Sequence, residues 1–236
     1  MKKSAFTIAE VLVTLGVIGV VAAMTLPMLA ENYQRIVVET RLKKFYTTFN
    51  QAILRSVEVN GPYAGWWYIL ENKYDANGNC ISRQDEVSNN FEFFLAPYLN
   101  IVLRRKIIYT NGKTNTLYYL ADGSAFDYPM EHNRDIRYYP KAPEKCLKEP
   151  AANRNGFCCY VFNFYPSNNK NISKYWIHHK DKGLEPYKYA WDGNVESLYT
   201  DKTYGCGTSV SRAYCTAIIQ YNGWHFPEDY PLQVRY

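Results

Sequence analysis

The chain of 236 residues carries 27 Lys and Arg against 22 Asp and Glu, a formal charge of +5. That length makes one large domain or two small ones, and so small a surplus excludes the broad basic field with which nucleic-acid binders gather phosphate. The sequence holds no G-x-S-x-G, H-E-x-x-H or phosphate-loop pattern, so these hydrolase, zinc-protease and nucleotide-binding classes have no motif to rest on.

The first thirty residues read MKKSAFTIAEVLVTLGVIGVVAAMTLPMLA. Lys2 and Lys3 open the stretch, Glu10 is the only ionisable side chain after them, and Val11 to Ala30 carry no charge. At about 1.5 Å of rise per residue, a helix of this length crosses a hydrocarbon core of about 30 Å. The two lysines hold the preceding end in the cytoplasm, which puts everything after the span outside the inner membrane. Glu10 is out of place, because a carboxylate at membrane depth costs about 2 to 3 kcal/mol unless it lies shallow or finds a partner.

Two plainer readings exist for this stretch. A secretory signal peptide has a basic start, an apolar run and a small-residue cut site, which Val21, Ala22 and Ala23 could supply. A signal anchor with an accidental glutamate is the other. Both leave Glu10 and the string FTIAE without a use.

The run from Ala5 through Phe6, Thr7, Ile8, Ala9 and Glu10 into VLVTLGVIGVVAAMTLP resembles the leader and N-terminal helix of type IV pilins and type II secretion pseudopilins. The resemblance implies a leader, residues 1–5, cut between Ala5 and Phe6 by a prepilin peptidase, with N-methylation of Phe6. It places Glu10 at the fifth residue of the mature chain, and Pro27 where the family often carries a helix-kinking proline. Alanine at Ala5 replaces the family's usual glycine and is still small enough for a protease subsite. The resemblance covers about a tenth of the chain. In its terms Glu10 pairs with the Phe6 ammonium of a neighbouring subunit as the helix leaves lipid. That pairing offsets the insertion cost and sets the stagger of subunits, which build a helical filament when joined head to tail without closure.

Beyond Pro27, Tyr33, Ile36, Val37, Phe45, Phe49, Ala52, Ile53 and Val57 recur at three- and four-residue steps among charged residues. This predicts an amphipathic continuation of the helix over 31–60, with Pro27 bending or loosening it and Asn60, Gly61 and Pro62 ending it. Residues 61–236 remain for one globular head. There Asp75, Asn77, Asn79 and Glu86 fall at places one, three, five and twelve of a calcium loop. Cys80 stands where that loop needs glycine, so calcium is a weak candidate and an Asn-Gly turn is the favoured reading.

Residues 90–103 suggest a short helix broken near Pro97. Strands follow over 106–110, 116–121 and 124–128, joined by hairpin turns at Asn111-Gly112 and Asp122-Gly123, the latter a two-residue type I′ candidate. Residues 129–155 read as loop, 157–165 as a central strand, and 167–207 as irregular. Residues 213–220 read as a short helix or strand before a proline-bounded tail.

Six cysteines follow the span, in what the topology makes an oxidising compartment, so disulfides are the natural reading. Cys206 with Cys215 is the best single pair and Cys146 with Cys158 or Cys159 the next, with Cys80 left to pair elsewhere. Paired C-x-x-C spacings are absent, which leaves no zinc signature. His178 and His179 are adjacent and diverge, while His132 and His225 stand alone, so these read as exposed polar residues and no metal or other cofactor is expected. The 23 tyrosines suit surfaces that meet subunits or glycans, though exported domains without ligands share that enrichment.

The sequence therefore predicts an α+β, pilin-like protein: an N-terminal helix (a membrane span over 6–30, then its amphipathic half) packed on a head with an antiparallel sheet. Its expected role is structural, as a minor subunit of a type IV pilus or type II secretion pseudopilus. Its expected partners are other such subunits, the prepilin peptidase and the inner membrane. An adhesin or DNA-uptake pilin is the alternative, and a membrane-anchored periplasmic enzyme the third reading.

Overall fold

The computed structural model describes residues 7–63, 66, 76, 90–108, 114–128, 134–165 and 174–235. The first element, α1, is one helix over Ile8–Asn60. At 53 residues it runs about 80 Å. It continues through residue 27 without interruption. Gly61, at φ 76°, ends it by returning its N–H to the Val57 carbonyl, and Pro62 cannot carry the helix on. Its N-terminal half is long and apolar enough to cross a membrane, and none of its most apolar stretch is buried against the other described residues. Thr14 and Thr25 return their hydroxyls to the carbonyls of Glu10 and Val21, so even the polar side chains of this half are satisfied within the helix.

Among the described residues six strands form one antiparallel meander in chain order: β1 (Ile101–Ile108), β2 (Thr114–Leu120), β3 (Ala125–Asp127), β4 (Asp135–Tyr139), β5 (Tyr160–Phe164) and β6 (Leu184–Pro186). Successive side chains along a strand point to opposite faces. One face carries Tyr118, Phe126, Ile136, Tyr138, Phe162 and Leu184 into the main core against α1. The other carries Leu117, Ala125 and Tyr139 into a smaller core with Cys146, Cys158 and Cys159. Helix α2 (Pro143–Lys148) contributes Cys146 to that second core, and its bond to Cys158 covers this side of the sheet. Helix α3 (Val195–Thr200) is capped by the Asn194 side chain. Helix α4 (Cys215–Tyr221) buries Ala217, Ile218 and Ile219 in the main core.

The α+β architecture, the long N-terminal helix and the antiparallel sheet all match the sequence reading, and several boundaries are corrected. β1 begins at Ile101, five residues before the expected start, because the chain turns through a 3-10 helix at Ala96–Tyr98 and goes straight into the sheet. The Asp122-Gly123 hairpin is a three-residue connection, not a two-residue type I′ turn. Leu120 N–H bonds the Ser124 carbonyl, Asp122 Oδ1 accepts from the Ser124 N–H and hydroxyl, and Gly123 alone takes a positive φ. The Asn111-Gly112 turn lies outside the described residues. The stretch expected as loop over 129–155 contains β4 and α2, and the stretch expected as irregular over 167–207 contains β6 and α3. The strand expected over 157–165 is β5, fully buried along its length, though it lies next to the edge strand β6 and not at the centre. The ambiguous segment 213–220 is a helix.

Tyrosine fills this core. Tyr118, Tyr128, Tyr138, Tyr139, Tyr160, Tyr165, Tyr214 and Tyr230 are all buried. Several of their hydroxyls find partners inside: Tyr138 on the Arg41 carbonyl at 3.2 Å, Tyr139 on Asp127 Oδ2 at 2.7 Å and Tyr230 on the Gly156 carbonyl at 2.8 Å, while the buried Tyr160 hydroxyl has no hydrogen-bond partner among the described residues. Gly156 has φ 80°, and a Cβ there would lie 2.4 Å from the Cys215 sulfur, so only glycine lets this loop approach the disulfide.

Candidate functional site

The element that invites a functional reading is α1, whose two halves face different surroundings. At its start Thr7 is the N-cap, and Thr7 with Glu10 forms a reciprocal capping box. The Thr7 N–H and hydroxyl both donate to Glu10 Oε2 at 2.8 Å, and the Glu10 N–H returns to the Thr7 hydroxyl at 3.3 Å. Threonine three residues before glutamate is the sequence signature of this cap, and the sequence reading passed over it. It gives Glu10 a local partner at the first turn, where its charge also faces the positive end of the helix dipole. From Ile8 through Leu26 the large apolar side chains, among them Leu12, Val17, Val20 and Met24, are all exposed.

The second half of α1 is the spine of the head. Val38, Leu42, Phe45, Phe49, Ala52 and Ile53 are buried. Phe45 stacks on Tyr138 with ring centroids 4.1 Å apart, and meets Phe126 tilted at 5.5 Å and Phe162 edge-on at 5.4 Å. Burying a side chain of this kind stabilises by about 1.5 to 3 kcal/mol, so this face supplies much of the core's driving force.

Polar clamps fix the register of helix on sheet. Arg41 donates to the carbonyls of Pro140 and Asp122, and Lys44 pairs with Asp122 at 2.9 Å. Glu39 accepts the Phe226 N–H at 2.7 Å and faces His225 Nδ1 at 3.1 Å. Tyr46 donates to Glu185 at 3.1 Å, and burial with that carboxylate pushes its phenol up to about 12. The same Glu185 pairs with Lys188 at 3.0 Å, a half-hidden ion pair that Gln220 completes.

The remaining candidates divide clearly. Cys146–Cys158 and Cys206–Cys215 are bonded, the second as expected and the first settling which of the adjacent cysteines Cys146 takes. Cys159 is buried with no disulfide partner among the described residues, and burial pushes its thiol up to about 12, which makes it inert. His179 is not exposed: it lies buried under Trp176, accepts the Lys188 N–H at Nε2 over 3.1 Å, and burial holds it down at about 3. His178 bonds the Trp191 carbonyl at 2.9 Å. Ala5, Phe6, Cys80, His132 and the calcium-loop candidates Asp75, Asn77, Asn79 and Glu86 lie outside the described residues. Among the described residues no group of three His, Cys, Asp or Glu could hold a metal ion.

No curated protein and no solved structure matches the chain. Residues 28–234, from the middle of α1 to the end of the head, match a family model described as a family of unknown function (DUF6613). The matched stretch covers the whole of the core-building part of α1, which begins at Val38, and on that match the chain belongs to the DUF6613 family.

Proposed function

We propose that this protein is a minor structural subunit of a filament of the type IV pilus or type II secretion pseudopilus kind. It is anchored in the inner membrane before assembly, with the start of α1 cytoplasmic and the head outside. A prepilin peptidase cuts between Ala5 and Phe6, and the exposed half of α1 then leaves lipid for the helical bundle of the filament.

The observation that carries this reading is the division of labour along one uninterrupted helix. Its second half is the core of the head, while its first half, capped by Thr7 and Glu10, presents apolar side chains to no partner among the described residues. Such a surface is stable only in lipid or against other apolar helices. Head-to-tail packing of identical rods supplies the second environment when subunits leave the first. Glu10 then trades its Thr7 cap for the Phe6 ammonium of a neighbour, which sets the axial step.

The test separates the two duties of Glu10. Glu10→Leu is expected to leave the protein membrane-inserted with a folded head and absent from sheared filaments. Thr7→Val, which removes the cap and keeps the carboxylate, is expected to assemble. Normal incorporation of Glu10→Leu contradicts the proposal.

A further inference from the structure

On the face of the sheet away from α1, a pocket of about 270 Å³ opens between β1, β2 and α2. Among the described residues, Ile107, Leu117 and Leu147 form apolar wall, and the charged lining is Arg105, Lys106, Lys148 and Arg154 against a single acid, Glu144. That acid is already engaged, accepting from the Tyr119 hydroxyl and lying 3.6 Å from Arg105. Lys106, Lys148 and Arg154 have no carboxylate partner among the described residues.

Arg154 is the telling residue. It is 7 % exposed, so its charge has lost most of its water, and uncompensated buried charge is costly. Nε donates to the Glu149 carbonyl and Nη2 to the Leu147 carbonyl, each at 2.8 Å, while Nη1 has no hydrogen-bond partner among the described residues. The guanidinium is therefore held by two carbonyls with Nη1 left over, in a residue that lines the pocket. Two carbonyl bonds would satisfy a structural arginine on a surface. They do not explain why Lys148, which has no carboxylate partner among the described residues, and Arg105 line the same small volume beside it.

We infer that this pocket binds a small organic phosphate, with the phosphate dianion between Arg154, Lys148 and Arg105 and its organic part against Ile107, Leu117 and Leu147. A planar arginine fork fixed in advance loses little entropy on meeting such an anion, and the flanking cations add long-range attraction. The volume exceeds what a bare phosphate fills, and the apolar walls give the excess a use. This binding is independent of the filament reading, since every residue involved belongs to the head.

Calorimetric titration of the full-length protein in a non-ionic detergent tests it, using glucose 1-phosphate, inorganic phosphate and citrate as separate probes. Glucose 1-phosphate is expected to bind saturably and at least as tightly as inorganic phosphate, and to weaken as salt is raised. Lys148→Gln, an exposed change that leaves the fold intact, is expected to weaken binding about tenfold. Glu144→Gln removes the one repulsive group and releases Arg105, so it is expected to tighten binding by about fivefold to tenfold, which a purely structural pocket would not do. Absence of saturable binding, binding of citrate alone, or equal affinities for the parent, Lys148→Gln and Glu144→Gln proteins overturns the inference.

Discussion

Asn50 of α1 acts as a substitute strand for Leu184 of β6. Its Oδ1 accepts the Leu184 N–H at 2.9 Å, and its Nδ2 donates to the Leu184 carbonyl at 3.1 Å and to the Tyr46 carbonyl at 3.0 Å. One side-chain amide thus closes the hydrogen bonds of a residue at the sheet's edge and ties the spine helix to it. Gly183 makes the approach possible, because a Cβ at that position would sit 2.0 Å from Asn50 Oδ1.

The pair should therefore behave as a unit. Asn50→Ala leaves the N–H and the carbonyl of buried Leu184 unpaired, at about 1 to 3 kcal/mol for each group, so a total loss of about 2 to 4 kcal/mol is expected. Gly183→Ala drives a methyl into the amide and is expected to cost a similar amount. Combining them should cost clearly less than the sum, because the clash disappears with the amide. Thermal or urea unfolding of the three variants measures this, and strict additivity would show that the contact is not shared.

Stability should fall in mild acid because of His179. Its ordinary value is 6.5, and burial, with Lys188, Lys182 and His178 nearby, holds it at about 3 in the folded protein. Between those values the unfolded chain binds a proton that the folded one refuses. The contribution is thus complete above pH 6.5 and is lost as pH falls toward 3, at up to about 1.4 kcal/mol per pH unit. His179→Gln keeps an acceptor for the Lys188 N–H and removes the titration. The variant is expected to lose about 2 kcal/mol less than the parent between pH 7.5 and pH 4.5. Parallel pH profiles for the two proteins would contradict this.

Peptide mapping under non-reducing conditions should recover Cys146 joined to Cys158 and Cys206 joined to Cys215. Cys159 should resist alkylation until the protein unfolds, since its thiol is buried and pushed up to about 12. Breaking either loop by Cys→Ser is expected to cost about 2 to 4 kcal/mol, and recovery of a Cys146–Cys159 peptide would refute the assignment.

How much of this was legible before the fold was known differs by element. The second half of α1 was plain, because Phe45, Phe49, Ala52 and Ile53 keep helical spacing and all reach the core. β4 was hidden: Ile136 and Tyr138 alternate as a strand should, but Arg137 and the surrounding prolines and charges make the stretch look like loop. Arg137 is tolerated there because it pairs with buried Asp127 at 3.2 Å, a partner ten residues away that only the sheet brings alongside. β6 has three residues and ends in Pro186, too short for any periodic signal, and it exists through pairing with β5 and the help of Asn50. The capping box at Thr7 and Glu10 does have a sequence signal, the three-residue spacing of threonine and glutamate at the start of a helix. The basic pocket had no sequence signal, because Arg105, Lys148 and Arg154 come from a strand, a helix and a turn that are joined only by the fold.

The filament role depends on processing between Ala5 and Phe6. Intact-mass and N-terminal peptide spectrometry of protein isolated from its native membranes tests it most directly. The account predicts a chain starting at Phe6 with a methylated amine. A terminus that retains Met1, Lys2 and Lys3, or one that begins beyond Ala22 and Ala23, would contradict it.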